Sequence, residues 1–286
     1  MNQGGDTTDS GSQVAAGSRS PESLYLELLK RCLTRDGFED PTTPFVPNRQ
    51  WKRTLWRPVE RRLSGRGLKV VRPVSVDDRR DGRIWPTTAE TMVGLSRLDN
   101  LQHCIETVVA DEVAGDLLEA GAWRGGASIF MRAVLATLGD TRRTVWVADS
   151  FEGLPRPDAS YTADEGDEHW TYSELAVSVE VVKANFAKYG FLDDQVRFLP
   201  GWFEETLPNA PISALAVLRL DGDMYSSTMQ SLDALYPKLS EGGFAIIDDY
   251  GNLEPCRQAV DDYRAAHGIR EPIERIDWTG VYWRRH

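Results

Sequence analysis

The sequence predicts an α/β protein in which helices cover both faces of a mostly parallel β-sheet. Two observations carry that prediction. From Asp116 onward, short apolar runs alternate with segments of helical period, the pattern of repeated strand–helix–strand units. The final two strand-like runs, residues 272–277 and 281–285, are separated only by Trp278-Thr-Gly280, a connection short enough for an antiparallel hairpin.

Taken in order, residues 1–20 are Gly, Ser, Thr, Gln and Asp with almost nothing apolar, and are expected to form a disordered tail. From Pro21, the residues Leu24, Tyr25, Leu28, Leu29, Cys32 and Leu33 fall on one helical face, with Ser20 or Ser23 as its cap. Residues 37–84 carry several prolines and read as irregular, either a long surface insertion or a cap. Their basic cluster, Arg49 to Arg66 with Trp51 and Trp56 interleaved, reads as a surface for an anionic or aromatic ligand. The alternative is a helix that buries its own tryptophans beneath arginine stems. Residues 21–86 are thus expected as an N-terminal helical and irregular cap, and 87–286 as the α/β domain.

Within that domain the pattern predicts helices over 87–109, 127–138, 175–189, 228–239 and 255–267. Strands are predicted over 116–120, 144–148, 195–199, 212–220 and 243–247. With the terminal hairpin this makes a seven-stranded sheet. No internal repeat is present.

Composition excludes several function classes. The chain has 286 residues, 41% hydrophobic and 27% charged, an ordinary globular balance. No apolar run approaches the ~18 residues a membrane helix needs, so no membrane partner is expected. Thirty-three basic against 44 acidic residues give a net charge of -11, which repels a phosphate backbone and argues against nucleic acid as a partner. The three cysteines, Cys32, Cys104 and Cys256, lack paired metal-ligand spacing. The amino-terminal residues lack the basic start and apolar stretch of a secretory signal, so a cytoplasmic location with reduced thiols is expected.

Chemistry concentrates where strands end. The first strand runs into Glu119-Ala-Gly121-Ala-Trp-Arg-Gly125-Gly126. An acidic residue in this turn suits a cationic group better than the pyrophosphate that a dinucleotide-binding turn holds. The second strand ends at Asp149-Ser150, where a carboxylate either accepts ribose hydroxyls or N-caps the next helix. Two further strands end at Asp221-Gly-Asp223 and Asp248-Asp249. If they are neighbours, Asp221, Asp248 and Asp249 converge. Oxygen-only ligands of this kind favour Mg²⁺, Ca²⁺ or Mn²⁺, with Mg²⁺ leading because it keeps positions open for water and substrate oxygens. A hydroxyl activated beside such an ion still needs a base, either Asp223 or His169.

A parallel sheet finished by an antiparallel hairpin is the arrangement of class I methyltransferases, and the motifs narrow the match. Trp85-Pro-Thr-Thr-Ala89, Thr91-Met-Val-Gly94, Arg97-Leu-Asp-Asn-Leu101, Glu119 to Gly126, Val147-Ala-Asp-Ser-Phe151, Val196 to Phe203, Leu218-Arg-Leu-Asp-Gly-Asp-Met-Tyr225 and Ile247-Asp-Asp-Tyr250 resemble the macrocin O-methyltransferase (TylF/MycF) family. The resemblance runs from Trp85 to His286, with a further match in the helix from Leu24 to Leu33.

It implies a Rossmann-like sheet and methylation, dependent on S-adenosylmethionine and Mg²⁺, of a hydroxyl on a sugar. The acceptor is typically a deoxysugar on a natural product, a glycosylated small molecule, and the enzyme a homo-oligomer. Carried over by position, Asp221, Asp248 and Asp249 bind the metal and Asp223 is a base candidate. Thr91, Met92, Glu119, Gly121, Asp149, Ser150, Gly201 and Trp202 line the cofactor site, and the acidic loop 152–172, with His169, covers the acceptor. Residues 35–83 depart from the macrolide-sugar members, which leaves the acceptor open. The alternatives are a catechol-type Mg²⁺-dependent O-methyltransferase, against which the acidic loop argues, and a silent S-adenosylmethionine-binding protein, against which the intact carboxylates argue.

Overall fold

The computed structural model of the chain describes residues 20–38, 42–45, 47 and 50–286. The expected tail therefore lies, but for Ser20, outside the described residues, as does Arg49. Helix α1 (Pro21–Thr34) begins where Ser20 accepts a hydrogen bond from the Ser23 amide, with Pro21 in the first turn. Short strands β1 (Thr42–Pro44) and β2 (Val71–Pro73) pair antiparallel around helix α2 (Gln50–Ser64), and helix α3 (Val76–Arg80) follows.

The main body then runs α4 (Leu95–Ala110), β3 (Asp116–Ala120), α5 (Gly126–Thr137), β4 (Val145–Asp149), α6 (Val179–Lys188), β5 (Val196–Pro200), α7 (Phe203–Thr206), β6 (Leu215–Leu220), α8 (Tyr225–Leu235), β7 (Leu239–Ile247), α9 (Glu254–His267), β8 (Glu274–Arg275) and β9 (Val281–Arg284). Seven strands form one sheet in the order β5-β4-β3-β6-β7-β9-β8. The first five are parallel, and β9 joins β7 and β8 antiparallel, as the sequence predicts.

Alternation along the strands builds two cores. Leu117, Val145, Val147, Val217 and Phe244 pack on one face with α1, α4 and α5, while Leu118, Ala148, Leu218, Leu220 and Ile247 pack on the other with α8 and α9. Leu26, Leu29 and Leu33 of α1 belong to the first core, so the amino-terminal segment shares the hydrophobic interior of the sheet. No helix among the described residues is long and apolar enough to cross a membrane.

Two expectations need correction. The helical pattern over 87–109 becomes helix only from Leu95. The carbonyls that a helix would use are taken by arginines: Arg124 donates to Pro86, Thr87 and Ala89, and Arg79 to Thr91 and Val93. Residues 86–94 are therefore an extended strap. It passes so close to the residue before Gly82 that a Cβ on Gly94 would lie 2.6 Å from the Asp81 carbonyl carbon. The second concerns 37–84, read as irregular apart from the alternative of a helix in its basic cluster: that helix is α2, with Pro58 inside it. Its tryptophans divide: Trp56 packs edge-on against Phe45 at 5.2 Å, whereas Trp51 is exposed.

Strand ends elsewhere shift by a few residues. Residues 212–214 are loop, β7 starts four residues before the expected 243, and the strand expected over 272–277 shortens to Glu274–Arg275.

The sheet's carboxyl edge sets a steric limit at Gly121. Its φ is 91°, and a Cβ there would fall 1.8 Å from the Asp221 carbonyl oxygen. Gly121→Ala must separate β3 from β6 at this point, and is expected to lower stability by on the order of 3 kcal/mol. A urea midpoint equal to wild type would show that the two strand ends part freely.

Candidate active site

The parallel register aligns the strand ends in a row. Ala120 pairs with Ala148 on one side and Leu220 on the other, and Leu220 pairs with Ile247. The next residues, Asp149, Gly121, Asp221 and Asp248, therefore stand side by side. This is also where strand order reverses around β3, the place where open α/β sheets bind ligands. A cavity of about 830 Å³ opens there.

Of the residues expected at a site, Thr91, Met92, Glu119, Gly121, Asp149, Ser150, His169, Trp202, Asp221, Asp223, Asp248 and Asp249 all line this cavity. Gly201 does not. It lies behind, donating its amide to the Asp149 carbonyl at 3.0 Å, and so supports the turn that carries Asp149.

Beneath the cavity floor lies a buried charge network. Arg219 sits in the fully buried run of β6 and is 2% exposed. Its Nη1 lies 2.5 Å from Glu119 Oε1 and 2.9 Å from Asp221 Oδ2, and its Nη2 donates to Asp248 Oδ1. Arg97 of α4 takes the other Asp248 oxygen and reaches Asp277 at 3.0 Å. Burial disfavours charge on Asp248, but Arg219 and Arg97 outweigh it and hold its carboxyl below the usual range. Glu119, also bonded by Ser128, goes the other way: burial dominates, Arg219 offsets it only in part, and its pKa rises to about 7.

The structure thus brings together a different triplet from the one expected. Asp221, Asp223 and Asp249 each present an oxygen within 4.8 Å of the others, while Asp248, expected among the metal ligands, has both oxygens engaged by arginines. Asp249 Oδ2 is buried without a hydrogen-bond partner. Burial and then the neighbouring carboxylates raise Asp249 well above the usual range, raise Asp221, and push Asp223 up to about 7. Converging hard oxygens with an unused buried lone pair could hold a divalent cation. Asp223 is held at φ 59°, in the left-handed region, which turns it toward this group away from the strand direction.

His169 hydrogen-bonds through Nδ1 to Asp167 at 2.6 Å, and that bond raises its pKa against the opposing effect of burial. Asp149 is spent on backbone. Its Oδ2 accepts from the amides of Ala122 and Trp123 and its Oδ1 from Phe151, so it does not cap the next α-helix, which begins only at Val179. It holds the β3–α5 turn in shape beside the cavity.

The family model for macrocin O-methyltransferase (TylF) matches residues 22–285. The chain belongs to that family. It is 53% identical over 264 residues to the 8-demethyl-8-(2,3-dimethoxy-α-L-rhamnosyl)-tetracenomycin-C 4'-O-methyltransferase of Streptomyces olivaceus, covering 91% of this chain and 92% of the relative. It is 47% identical over 266 residues to the mycinamicin III 3''-O-methyltransferase of Micromonospora griseorubida, covering 92% and 96%. The solved O-methyltransferase NovP superposes with a TM-score of 0.79 at 45% identity, covering 92% of this chain and 99% of that one.

In this O-methyltransferase, sequence reasoning missed three residues that organise the site. Arg97 and Arg219 are the first two, and the signal for Arg219 was a lone charge in the apolar run Leu215–Leu220. The third is Asp164, 1% exposed, in the acidic loop after β4. Its two oxygens accept from the amides of Tyr225 at 2.7 Å and Ser226 at 2.9 Å. Helix α8 has no cap of its own at Met224, so the loop supplies one. Since α8 begins two residues after Asp223, this contact fixes the loop, His169 included, against the carboxylate triplet.

Two predictions follow from these charges. Arg219→Met leaves Glu119 and Asp248 buried with fewer partners, and is expected to cost about 3–5 kcal/mol, read from chemical denaturation. The raised carboxyls also set a pH dependence. Glu119 and Asp223 hold protons in the folded protein up to about 7, whereas the unfolded chain releases them in the ordinary carboxylic range. Folding takes up protons in that window, so metal-free stability is full below it and falls as pH climbs toward 7. A thermal midpoint in chelator that rises between acid and neutral pH would contradict this.

Proposed function

We propose that the enzyme transfers the methyl group of S-adenosylmethionine to a sugar hydroxyl of a glycosylated natural product, with Mg²⁺ held by Asp221 and Asp249 of the carboxylate triplet and Asp223 beside them as base. The observation that carries this reading is the meeting of Asp221, Asp223 and Asp249 at the switch point of a family-typical sheet. It is supported by the relatives' activities on rhamnosylated tetracenomycin and on mycinamicin. A cavity of about 830 Å³ has room for both a nucleoside co-substrate and a sugar.

Each residue has a stated part. Asp221 and Asp249 hold the ion, and Asp248 is held beside them by Arg97 and Arg219. When bound, Mg²⁺ stabilises negative charge on the acceptor oxygen and fixes its position. Asp223, beside the ligands, takes the hydroxyl proton as the oxygen–methyl bond forms and the sulfur–methyl bond breaks, leaving S-adenosylhomocysteine. His169, oriented by Asp167, lines the same cavity as a hydrogen-bond partner for the sugar. Glu119, Gly121 and the strap residues Thr91 and Met92 line the co-substrate end. Asp149, Ser150 and Trp202 shape the turns that bound it. The loop 152–172, anchored by Asp164, excludes water from the reacting groups.

Asp223→Asn keeps the shape but removes the proton acceptor. It is expected to lower kcat by about 10²–10⁴-fold while calorimetry finds S-adenosylmethionine bound as in wild type. Asp249→Asn is expected to raise the Mg²⁺ concentration needed for half-maximal rate. Wild-type turnover by Asp223→Asn on a rhamnosylated acceptor, or Mg²⁺-independent turnover by the native enzyme, would sink the reading.

A further inference from the structure

Beside the main cavity lies a second hollow of about 230 Å³, sharing Arg83, Ile84 and Trp85 with it and lined also by Thr43, Arg53, Arg72 and Tyr172. We infer that this annex is a subsite for an anionic group carried by the acceptor beyond the sugar that is methylated. The inference rests on the sugar-methylation reading for where the acceptor lies.

Charge is the first argument. In a chain of net charge -11, three guanidiniums line one small hollow, and among the described residues that line it there is no carboxylate. Arg53 spends its hydrogen bonds on neutral oxygens, the Pro47 carbonyl at 2.9 Å and the Tyr172 hydroxyl. Arg83 stacks 4.8 Å over Trp278, with Asp81 3.4 Å from its Nε but outside the hollow. Arg72 is exposed on β2. Planar donors facing a hollow that no carboxylate lines match carboxylate, phenolate or phosphate oxygens.

Shape is the second. Trp85 and Tyr172 meet edge to face at 5.1 Å, and Arg53 lies 4.8 Å over the Tyr172 ring, giving the annex an aromatic wall. Arg57 of α2 also donates to the Thr171 carbonyl, so the segment that supplies the arginines is tied to the loop covering the acceptor. A ligand continuing out of the cavity past Trp85 meets positive charge and aromatic surface together. Two sources supply that chemistry: a nucleotide-activated sugar through its diphosphate, or a finished glycoside through an acidic aromatic aglycone.

The test uses the full chain saturated with S-adenosylhomocysteine, so that the co-substrate end is filled, and follows tryptophan fluorescence during titration with uridine diphosphate and, separately, with 2-naphthoate. Saturable binding of either probe, weakened about tenfold by Arg72→Gln and by added salt, supports the annex. Uridine diphosphate alone assigns the activated sugar, and 2-naphthoate alone the acidic aglycone. Arg72→Lys is expected to recover only part of the affinity, because an ammonium lacks the planar fork.

Arg53→Gln provides a second variant, with unfolding midpoints confirming that both are folded. Binding of neither probe, or binding indifferent to both substitutions, overturns the subsite. Failure of S-adenosylhomocysteine itself to bind would instead strike the methyltransferase reading, so the two failures are told apart.

Discussion

The site depends on a guanidinium placed where no charge would sit unaided. Arg219 occupies the centre of the sheet, with apolar neighbours before and after it along β6. Burial opposes its charge, but Asp248, Asp221 and Glu119 together hold its pKa well above the usual value. Those three carboxylates come from β3, β6 and the end of β7, so one side chain ties together the strand ends on which the cavity is built. Arg97 extends the tie from α4 to Asp277, between the two strands of the terminal hairpin. Removing a partner leaves a buried charge without compensation, which is why such networks lock geometry more surely than they add stability.

The same network sorts the carboxylates. Asp248 is held ionised by two arginines, whereas burial and neighbouring acids drive Asp223 and Asp249 toward neutrality in the metal-free protein. Chemically alike residues thus receive different duties from their neighbours alone. Asp221 sits between the groups, bonded to Arg219 yet within reach of the triplet. It couples the rigid base to the part of the site that a cation would occupy.

Legibility in the sequence followed physical range. A parallel sheet sends every strand's carboxyl end to one edge, so Asp149, Asp221 and Asp248 could be placed there without coordinates. Which oxygen meets which arginine could not, because pairing is decided by side chains from α4 and β6 that lie far apart in the chain. The strap over 86–94 read as helix because local periodicity is blind to Arg79 and Arg124, which take its carbonyls from outside. Helix α2 was one of two readings of its basic cluster, and only the structure shows that it packs Trp56 and leaves Trp51 exposed. Asp164 was invisible for a different reason: in a loop that also contains Asp158, Glu165, Asp167 and Glu168, nothing local distinguishes the one carboxylate that is buried.

That last residue explains how a loop with little regular structure can serve a rigid site. Its 3₁₀ turns at Thr162–Asp164 and His169–Thr171 make few long-range backbone bonds, so its position must come from side chains. Asp164 docks on the amino end of α8, and Tyr161 rests against Tyr225 at 6.0 Å. Lifting the loop would expose a buried carboxylate and uncap the helix that follows Asp223. Docking of the loop and capping of α8 are therefore one contact, and it bears on Asp223, two residues before the helix.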